Sequence, residues 1–197
     1  NTQNKMEFRD YQLDIIGKGS VILKKYGLLY LSMEVRTGKT LTSLGVCDVM
    51  GAERVLFLTK KKAISSIEHD YKMLNPSFEL QVINYESSHK INLGFSPDVV
   101  IADESHSLGA FPKPSSRAKR LKADLNTWKS KLILMSGTPT PESFSQMYHQ
   151  VYGCQGNPFS QYKNFYAWAK DYVKKKQLHY GFRVATDYSG ANKNMVI

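Results

Sequence analysis

The sequence predicts an α/β protein built on a parallel sheet, and three observations carry that prediction. Short apolar runs alternate with stretches of helical periodicity over roughly the first 150 residues. Gly38 and Lys39 stand where the first apolar run gives way to a helical pattern, and two adjacent acids, Asp103 and Glu104, follow the fourth run. This alternation is typical of a doubly wound sheet that binds ligands at the carboxyl ends of its strands.

Five segments are predicted to be strands because each is short and apolar on both faces, as buried parallel strands are. These strands cover residues 28–31, 55–58, 80–83, 99–102 and 132–135. Helices are predicted between them at residues 11–26, 39–50, 63–74 and 117–128, with Gly51 and Pro76 as stop signals after two of them. Beyond Pro139 the pattern predicts helices at 142–151 and 162–172, while the last twenty or so residues give no firm element.

Composition places the chain among soluble intracellular proteins. It has 197 residues, of which 42% are hydrophobic and 22% charged, enough for one α/β domain with a substantial core. No apolar stretch approaches the roughly 18–20 residues of a membrane helix, and no secretion signal is evident, so we expect no membrane partner. The two cysteines, Cys47 and Cys154, lack a C-x-x-C partner, which argues against a disulfide framework or a zinc site.

The net charge of +10 favours a polyanionic partner, nucleic acid before membrane. The charge is uneven: residues 112–131 carry seven basic side chains against one acid, and lysine triplets stand at 60–62 and 174–176. Each cluster is compatible with a nucleic-acid contact or with a solvated surface. The aromatic residues around 162–172 have helical spacing and are expected to pack against the domain rather than to stack on bases.

The segment Gly38-Lys39-Thr40 has the composition of a triphosphate cradle at a strand-to-helix turn. Backbone N–H groups and the positive end of the helix would face phosphates, the lysine would reach the β- and γ-oxygens, and the threonine hydroxyl would help to hold Mg²⁺. The full pattern begins with a glycine that is Met33 here, so the triplet alone is also compatible with an ordinary helix N-terminus.

Asp103 and Glu104 end the fourth predicted strand, where a carboxylate pair has a clear use in phosphate hydrolysis. The first acid would join the Mg²⁺ shell and the second would orient and polarise the attacking water. Alone, the pair would more simply cap a following helix. Its place at the same sheet edge as the lysine loop favours the catalytic interpretation.

Three further segments suit the same chemistry. Gln12 ends the segment Phe8-Arg9-Asp10-Tyr11-Gln12 at the start of the first helical pattern, where its amide offers a donor and an acceptor to adenine. Thr59 and Lys60 end the second strand with a hydroxyl and a cation, which suit a phosphate backbone. The fifth strand ends in small hydroxyl residues, Ser136-Gly137-Thr138-Pro139.

In this order the motifs resemble the first RecA-like lobe of superfamily 2 helicases, and most of all Swi/Snf-type DNA translocases, including compact bacteriophage versions. The resemblance covers about residues 6–175 and rests on Arg9-Asp10-Tyr11-Gln12, Gly38-Lys39-Thr40, Asp103-Glu104-Ser105-His106 and Ser136-Gly137-Thr138-Pro139. Asn84-Tyr85-Glu86 and Tyr162-Lys163-Asn164-Phe165 are similar to two further elements of the group. Two positions depart from the pattern: Arg36 replaces a glycine, and Ser105 stands where alanine or glycine is frequent.

The resemblance implies a RecA-like P-loop NTPase lobe at residues 1–152, followed at 153–197 by a helical extension packed on the lobe and the start of a linker toward a second lobe. It implies ATP and Mg²⁺ as cofactors and Lys39, Asp103, Glu104 and His106 as catalytic residues, with Asp103 on the metal and Glu104 as catalytic base. The implied nucleotide-binding residues are Gln12, on adenine, and Arg36, Thr37, Gly38, Lys39 and Thr40, of which Thr40 also binds Mg²⁺. The implied coupling and nucleic-acid residues are His106, Ser136, Gly137, Thr138, Thr59, Lys60, Asn84 and Tyr85.

The function implied is that of an ATP-binding motor lobe of a helicase or translocase, with double-stranded DNA as the favoured partner. The second lobe, in the same longer chain or supplied in trans, would contribute an arginine worth roughly 10³–10⁵ in rate, so we expect poor activity from one lobe. Other function classes remain open: a nucleic-acid- or protein-binding module with a vestigial nucleotide site, a P-loop kinase or metabolic NTPase, and a restriction-enzyme translocase subunit. The expected location is the cytoplasm, or the host cytoplasm if a bacteriophage encodes the chain.

Overall fold

A parallel sheet of five strands forms the centre of the molecule in the computed structural model, which describes residues 7–34, 37–90 and 94–192. The strands are β1 (Leu28–Ser32), β2 (Arg54–Thr59), β3 (Glu79–Asn84), β4 (Val99–Ala102) and β5 (Lys131–Ser136). Their spatial order is β1-β5-β4-β2-β3, with every neighbouring pair parallel. The predicted α/β class is confirmed, and no strand extends more than one residue beyond its prediction at either end.

The helices also follow the predicted order, with corrections after β5. They are α1 (Asp10–Tyr26), α2 (Lys39–Met50), α3 (Ile64–Leu74), α4 (Ser116–Trp128), α5 (Met147–Gln150) and α6 (Phe165–Tyr172). The helix predicted at 142–151 is instead a 3₁₀ turn, Phe144–Gln146, followed by the four-residue α5. Ser143 is extended and its side chain caps this turn, so helical backbone cannot begin earlier. In the same way, α6 begins at Phe165 because Asn164 is extended and accepts a hydrogen bond from the Ala167 N–H.

Alternating side chains of the central strands enter two separate cores, one on each face of the sheet. Val55 and Phe57 of β2 pack with apolar residues of α1, α2 and α3, whereas Leu56 and Leu58 face α4, α5 and α6. The second core holds the predicted aromatic packing, since Trp168 is fully buried. β3 departs from the prediction of a strand buried on both faces: it lies at the sheet edge, and its residues are half-buried or exposed.

The expectation of no firm element in the last twenty residues is wrong. β6 (Val173–Tyr180) and β7 (Arg183–Ala191) form an antiparallel hairpin, so the part of 153–197 that the structure describes holds a hairpin as well as the expected helix α6. The hairpin base is fixed to the lobe by two short hydrogen bonds, from Ser143 Oγ to the Ser189 carbonyl and from Ser145 Oγ to the Tyr188 carbonyl, both 2.6 Å. The proposed domain boundary and linker remain predictions.

None of the helices in residues 7–34, 37–90 and 94–192 combines the length and the apolar composition needed to span a bilayer.

Candidate active site

The predicted nucleotide residues and the predicted acids meet at the carboxyl edge of the sheet. Lys39, at the start of α2, and Glu104, just after β4, line one open cleft of about 370 Å³ together with Glu34, Gly137 and Thr138. Burial raises the pKa of the Asp103 carboxyl, and Lys39 is close enough for its charge to oppose part of that rise. Because neighbouring parallel strands end at the same edge, segments 64 positions apart in the chain form one site.

The loop between β1 and α2 is held by hydrogen bonds from both sides. Gly38 has the left-handed conformation (φ 76°, ψ 35°), and its carbonyl accepts from the Thr42 N–H at 3.0 Å and the Thr42 hydroxyl at 2.9 Å. Tyr11 donates its hydroxyl to the Thr37 carbonyl at 2.7 Å, and the Thr37 hydroxyl donates to the Glu34 carbonyl at 2.6 Å. These bonds present the first turn of α2, with its N–H groups, to the cleft.

The sequence did not identify Tyr11, Glu34 and Thr42 as residues that hold this loop, because their contacts depend on the fold. Arg36, predicted to bind the nucleotide, lies outside the described residues.

The side chain of Gln12, in the first turn of α1, supports the loop through hydrogen bonds. Its side-chain oxygen accepts from the Arg9 N–H at 2.9 Å, and its amide nitrogen donates to the Gly38 carbonyl and to the Thr42 hydroxyl, both at 3.4 Å. The residue is only 5% exposed. The amide therefore positions Gly38, and its contact with adenine remains a prediction.

Asp103 is held as a carboxylate with a fixed orientation. Its two oxygens accept from the Thr59 hydroxyl and from the Glu104 N–H, each at 2.9 Å. Burial raises the pKa of Asp103, the two hydrogen bonds lower it, the Glu104 charge raises it and Lys39 lowers it, with a net upward shift. Thr59 has no exposed surface and its hydroxyl is directed at Asp103; its contact with a phosphate backbone remains a prediction.

Glu104 is constrained by its backbone conformation and by two neighbouring side chains. Its backbone is left-handed (φ 50°, ψ 45°), which is strained for a side chain other than glycine and is typical of functional positions. One carboxylate oxygen lies 3.7 Å from Lys60 Nζ and 3.5 Å from His106 Nε2. This geometry places two basic side chains against the carboxylate that the sequence predicts as the base.

His106 joins Glu104 to the loop that follows β5. Its Nδ1 lies 2.9 Å from Ser136 Oγ, which accepts from the Thr138 N–H at 3.1 Å. Thr138 lines the cleft beside Gly137. The predicted coupling residues therefore form one connected series from Glu104 to the loop.

Ser105, the departure from the family pattern, has a structural role. It is fully buried, and its hydroxyl bonds to the Tyr30 hydroxyl at 2.9 Å and to Gln150 Oε1 at 3.2 Å. Burial raises the pKa of Tyr30 to about 12, so its hydroxyl stays neutral at ordinary pH. The serine thus links β1, the segment after β4 and α5 through neutral hydrogen bonds.

A second group of contacts begins at Asp103, directly after β4, and leads to the surface. Tyr85 is 7% exposed, and its hydroxyl donates to the Asp103 carbonyl at 2.5 Å. The Arg117 guanidinium lies 4.4 Å from the centre of the Tyr85 ring and bonds to Glu86 at 2.9 Å. Asn84, predicted beside Tyr85 on the nucleic-acid side, donates to Glu86 at 3.0 Å. The sequence showed Arg117 only as one of several basic residues.

A magnesium ion fits the predicted donor set. In nucleotide sites Mg²⁺ takes one or two carboxylates, and phosphate and water oxygens complete its shell. Asp103 supplies a carboxylate whose burial disfavours its charge, a cost that a cation relieves, and Thr40 lies in the first turn of α2. Within the described residues no three His, Cys, Asp or Glu side chains form a metal-binding group, so an ion here would depend on phosphate oxygens.

The sequence matches no family model and no curated protein. Among solved structures, the fold is shared with the Sulfolobus solfataricus SWI2/SNF2 ATPase core in complex with dsDNA, at TM-score 0.58 and 12% identity over 80% of this chain and 39% of that chain. It is also shared with a nuclease-deletion mutant of the Type ISP restriction-modification enzyme LlaGI in complex with a DNA substrate mimic, at TM-score 0.52 and 18% identity over 68% of this chain and 18% of that chain. The chain thus spans well under half the length of either protein. Its five-stranded parallel sheet with flanking helices has the fold of the RecA-like lobes in helicase-type ATPase cores.

Proposed function

We propose that this chain is the ATP-binding motor lobe of a nucleic-acid-dependent ATPase of the helicase or translocase type. The observation that carries the proposal is the single cleft at the carboxyl edge, where Lys39 and Glu104 meet Gly137 and Thr138 with Asp103 beside them. A cradle lysine, a buried carboxylate and a second acid at one edge are the parts that phosphoryl transfer to water needs.

The residues divide this chemistry among themselves. Lys39 and the N–H groups at the start of α2 would bind the phosphates, and Thr40 with Asp103 would hold Mg²⁺, which neutralises phosphate charge when bound. Glu104 would orient the attacking water and accept its proton. Thr59 would keep Asp103 in place through the 2.9 Å hydrogen bond.

Lys60 would connect hydrolysis to nucleic acid. Its side chain is 55% exposed and lies 3.7 Å from Glu104, so the same ammonium faces solvent and the proposed base. A phosphate of bound nucleic acid would attract Lys60 and so release the Glu104 carboxylate. Arg117, stacked on Tyr85, offers a second basic contact, and Tyr85 in turn touches the backbone of Asp103.

Movement on nucleic acid would require a second lobe, in the same longer chain or in trans. The Sulfolobus core, of which the chain covers 39%, is in complex with dsDNA, and this supports duplex DNA as the partner. Without an arginine from a second lobe, hydrolysis would be slower by roughly 10³–10⁵. We therefore expect binding of ATP with little turnover from the chain alone.

Two substitutions test the site. Lys39→Ala should lose binding of Mg²⁺-ATP in a fluorescence titration, whereas Glu104→Gln should keep it and should block the hydrolysis that a supplied second lobe and duplex DNA stimulate. Lys72→Ala, an exposed lysine near the end of α3, is the control and should match the parent. Undiminished ATP affinity in Lys39→Ala would exclude the proposed site. Binding of DNA by a parent chain that does not bind ATP would favour the module with a vestigial site.

A further inference from the structure

The β6–β7 hairpin presents a basic and apolar face that the proposed ATP site does not use. Side chains two apart on a strand share one face, so Lys174, Lys176, Leu178 and Tyr180 of β6 lie together. Arg183 pairs with Tyr180 across the hairpin and lies on the same face. We call these five residues the basic face.

The basic face is directed away from the lobe. Lys175, on the opposite face of β6, lies over the Tyr188 ring at 5.8 Å. Tyr188 in turn packs on Phe165 and Tyr166, each with ring centres 5.6 Å away. Because the opposite face covers the lobe at the hairpin base, the basic face is left toward solvent, and all its residues are exposed.

The hairpin carries an excess of positive charge. Residues 173–191 contain four basic side chains and one acid, Asp187, which pairs with Lys176. The Ser189 N–H bonds to Asp187 at 2.9 Å and is the main reason that the pKa of this carboxyl is lowered. Asp187 lies in β7 opposite Lys176, whose charge also lowers its pKa. The basic face thus has three basic side chains against this one acid, and the excess positive charge suits an anionic surface.

The tip of the hairpin is apolar and unusually exposed. Phe182 lies in the two-residue turn and is fully exposed, and Tyr180 beside it is 65% exposed. A run of lysines leading to an aromatic tip combines phosphate contacts with an apolar side chain that can contact base edges.

We propose that this hairpin is a second nucleic-acid contact that binds duplex DNA, with the basic face on the phosphates and Phe182 at the base edges. The inference deepens the proposed function by naming a surface for the nucleic acid. The eight residues of β6 span roughly 26 Å, and a two-stranded ribbon fits the major groove, which is about 12 Å wide. The positive charge and the ribbon shape together favour a duplex.

The test compares two triple variants of the full chain that lose the same charge. One carries Lys174→Gln, Lys176→Gln and Arg183→Gln on the basic face. The control carries Lys24→Gln, Lys25→Gln and Lys72→Gln. These exposed positions lie near the ends of α1 and α3, just before β1 and β3 begin, at the amino edge of the sheet. Affinity for a short duplex is measured by fluorescence anisotropy between about 50 and 200 mM salt.

For the basic-face variant we expect about tenfold weaker binding, and a slope of log affinity against log salt that is smaller by about 2 to 3, near 0.9 for each lost phosphate contact. Phe182→Ser should weaken binding about fivefold with an unchanged slope, because an apolar contact releases no counterions. The control triple should change both values far less.

Equal slopes for the two triple variants, or no binding of duplex by the parent, would overturn the inference. An equal loss on a single strand of the same length would overturn the assignment to duplex. ATP titration of the same variants separates this inference from the proposed function, since the basic-face variant should bind ATP as the parent does. A parent chain that does not bind ATP would contradict the proposed function. The duplex titration alone decides whether the hairpin binds DNA.

Discussion

Alanine at the two glycines that cap α2 provides a matched test of how the cradle loop is held. Gly38 precedes the helix with φ 76°, and Gly51 follows it with φ 80°. Alanine in the left-handed region costs about 1–2 kcal/mol at either end. A Cβ at Gly51 would meet nothing within 4 Å, whereas a Cβ at Gly38 would lie 2.4 Å from the Gln12 amide nitrogen.

The steric conflict at Gly38 adds a second cost. To accommodate the new carbon, the Gln12 amide must move away from the Gly38 carbonyl and the Thr42 hydroxyl, which it contacts at 3.4 Å. Gln12 is only 5% exposed, so water cannot readily replace these partners. An unsatisfied buried amide costs about 1–3 kcal/mol. We therefore expect Gly51→Ala to lose about 1–2 kcal/mol and Gly38→Ala about 2–5 kcal/mol.

Urea unfolding followed by circular dichroism measures both changes, and an ATP titration measures the effect on the site. The double variant Gln12→Ala/Gly38→Ala should lose less stability than the sum of its single variants, because the first change removes the atom that the second one meets. Equal destabilisation by the two glycine substitutions, with an additive double variant, would refute this account of the loop.

Two further predictions concern buried polar groups. Burial among aromatic side chains lowers the pKa of His149 below its ordinary value of 6.5, while its Nε2 donates to the Pro112 carbonyl at 2.9 Å. The unfolded chain therefore takes up a proton before the native chain does, and the free energy of unfolding should fall as pH drops from 6.5 toward the lower native pKa. Urea unfolding of His149→Gln should show a flatter pH dependence in this range, and a profile identical to that of the parent would contradict the assignment. Thr59→Val removes the hydroxyl that holds Asp103 and should weaken Mg²⁺-ATP binding about tenfold, with duplex affinity unchanged because Thr59 is buried. A variant that loses duplex affinity and keeps ATP affinity would support the nucleic-acid role that the sequence suggested for Thr59.

The sheet could be predicted because its central strands are buried on both faces and leave apolar runs in the sequence. The candidate site follows from the same pattern: Asp103 comes directly after β4, Ser136 ends β5, and Lys39 begins the helix that follows β1. Ligands of parallel sheets bind at this edge. The position of each residue relative to the neighbouring strand was therefore enough to predict that these side chains lie at one edge of the sheet.

Roles that depend on side-chain direction were not accessible from the sequence. Thr59 and Lys60 are adjacent, yet the first is buried against Asp103 and the second is half-exposed beside Glu104. Arg117 meets Tyr85 only because α4 returns to the end of β3. Neither pairing leaves a local signal in the sequence.

The hairpin was missed for a different reason. Strand prediction depends on apolar residues that mark a buried face, and beyond Val173 every residue of β6 is exposed. Its stability comes from cross-strand hydrogen bonds and from the attachment of Ser189 and Tyr188 to the lobe. A polar, lysine-rich strand therefore looks like a linker until its partners are known.

The contacts around Glu104 bear on why a single lobe would be slow. In the proposed function an arginine of a second lobe would supply part of the rate, while the carboxylate itself lies beside Lys60 and His106 and stands on a strained backbone. An ammonium that faces a carboxylate competes with the water that the same carboxylate must orient. His106 is in turn attached to Ser136, so the position of the base depends on the loop after β5. A second lobe would thus have to change the contacts of Glu104 with Lys60 and His106 as well as supply an arginine. Nucleic acid that draws Lys60 away from Glu104 would contribute to that change.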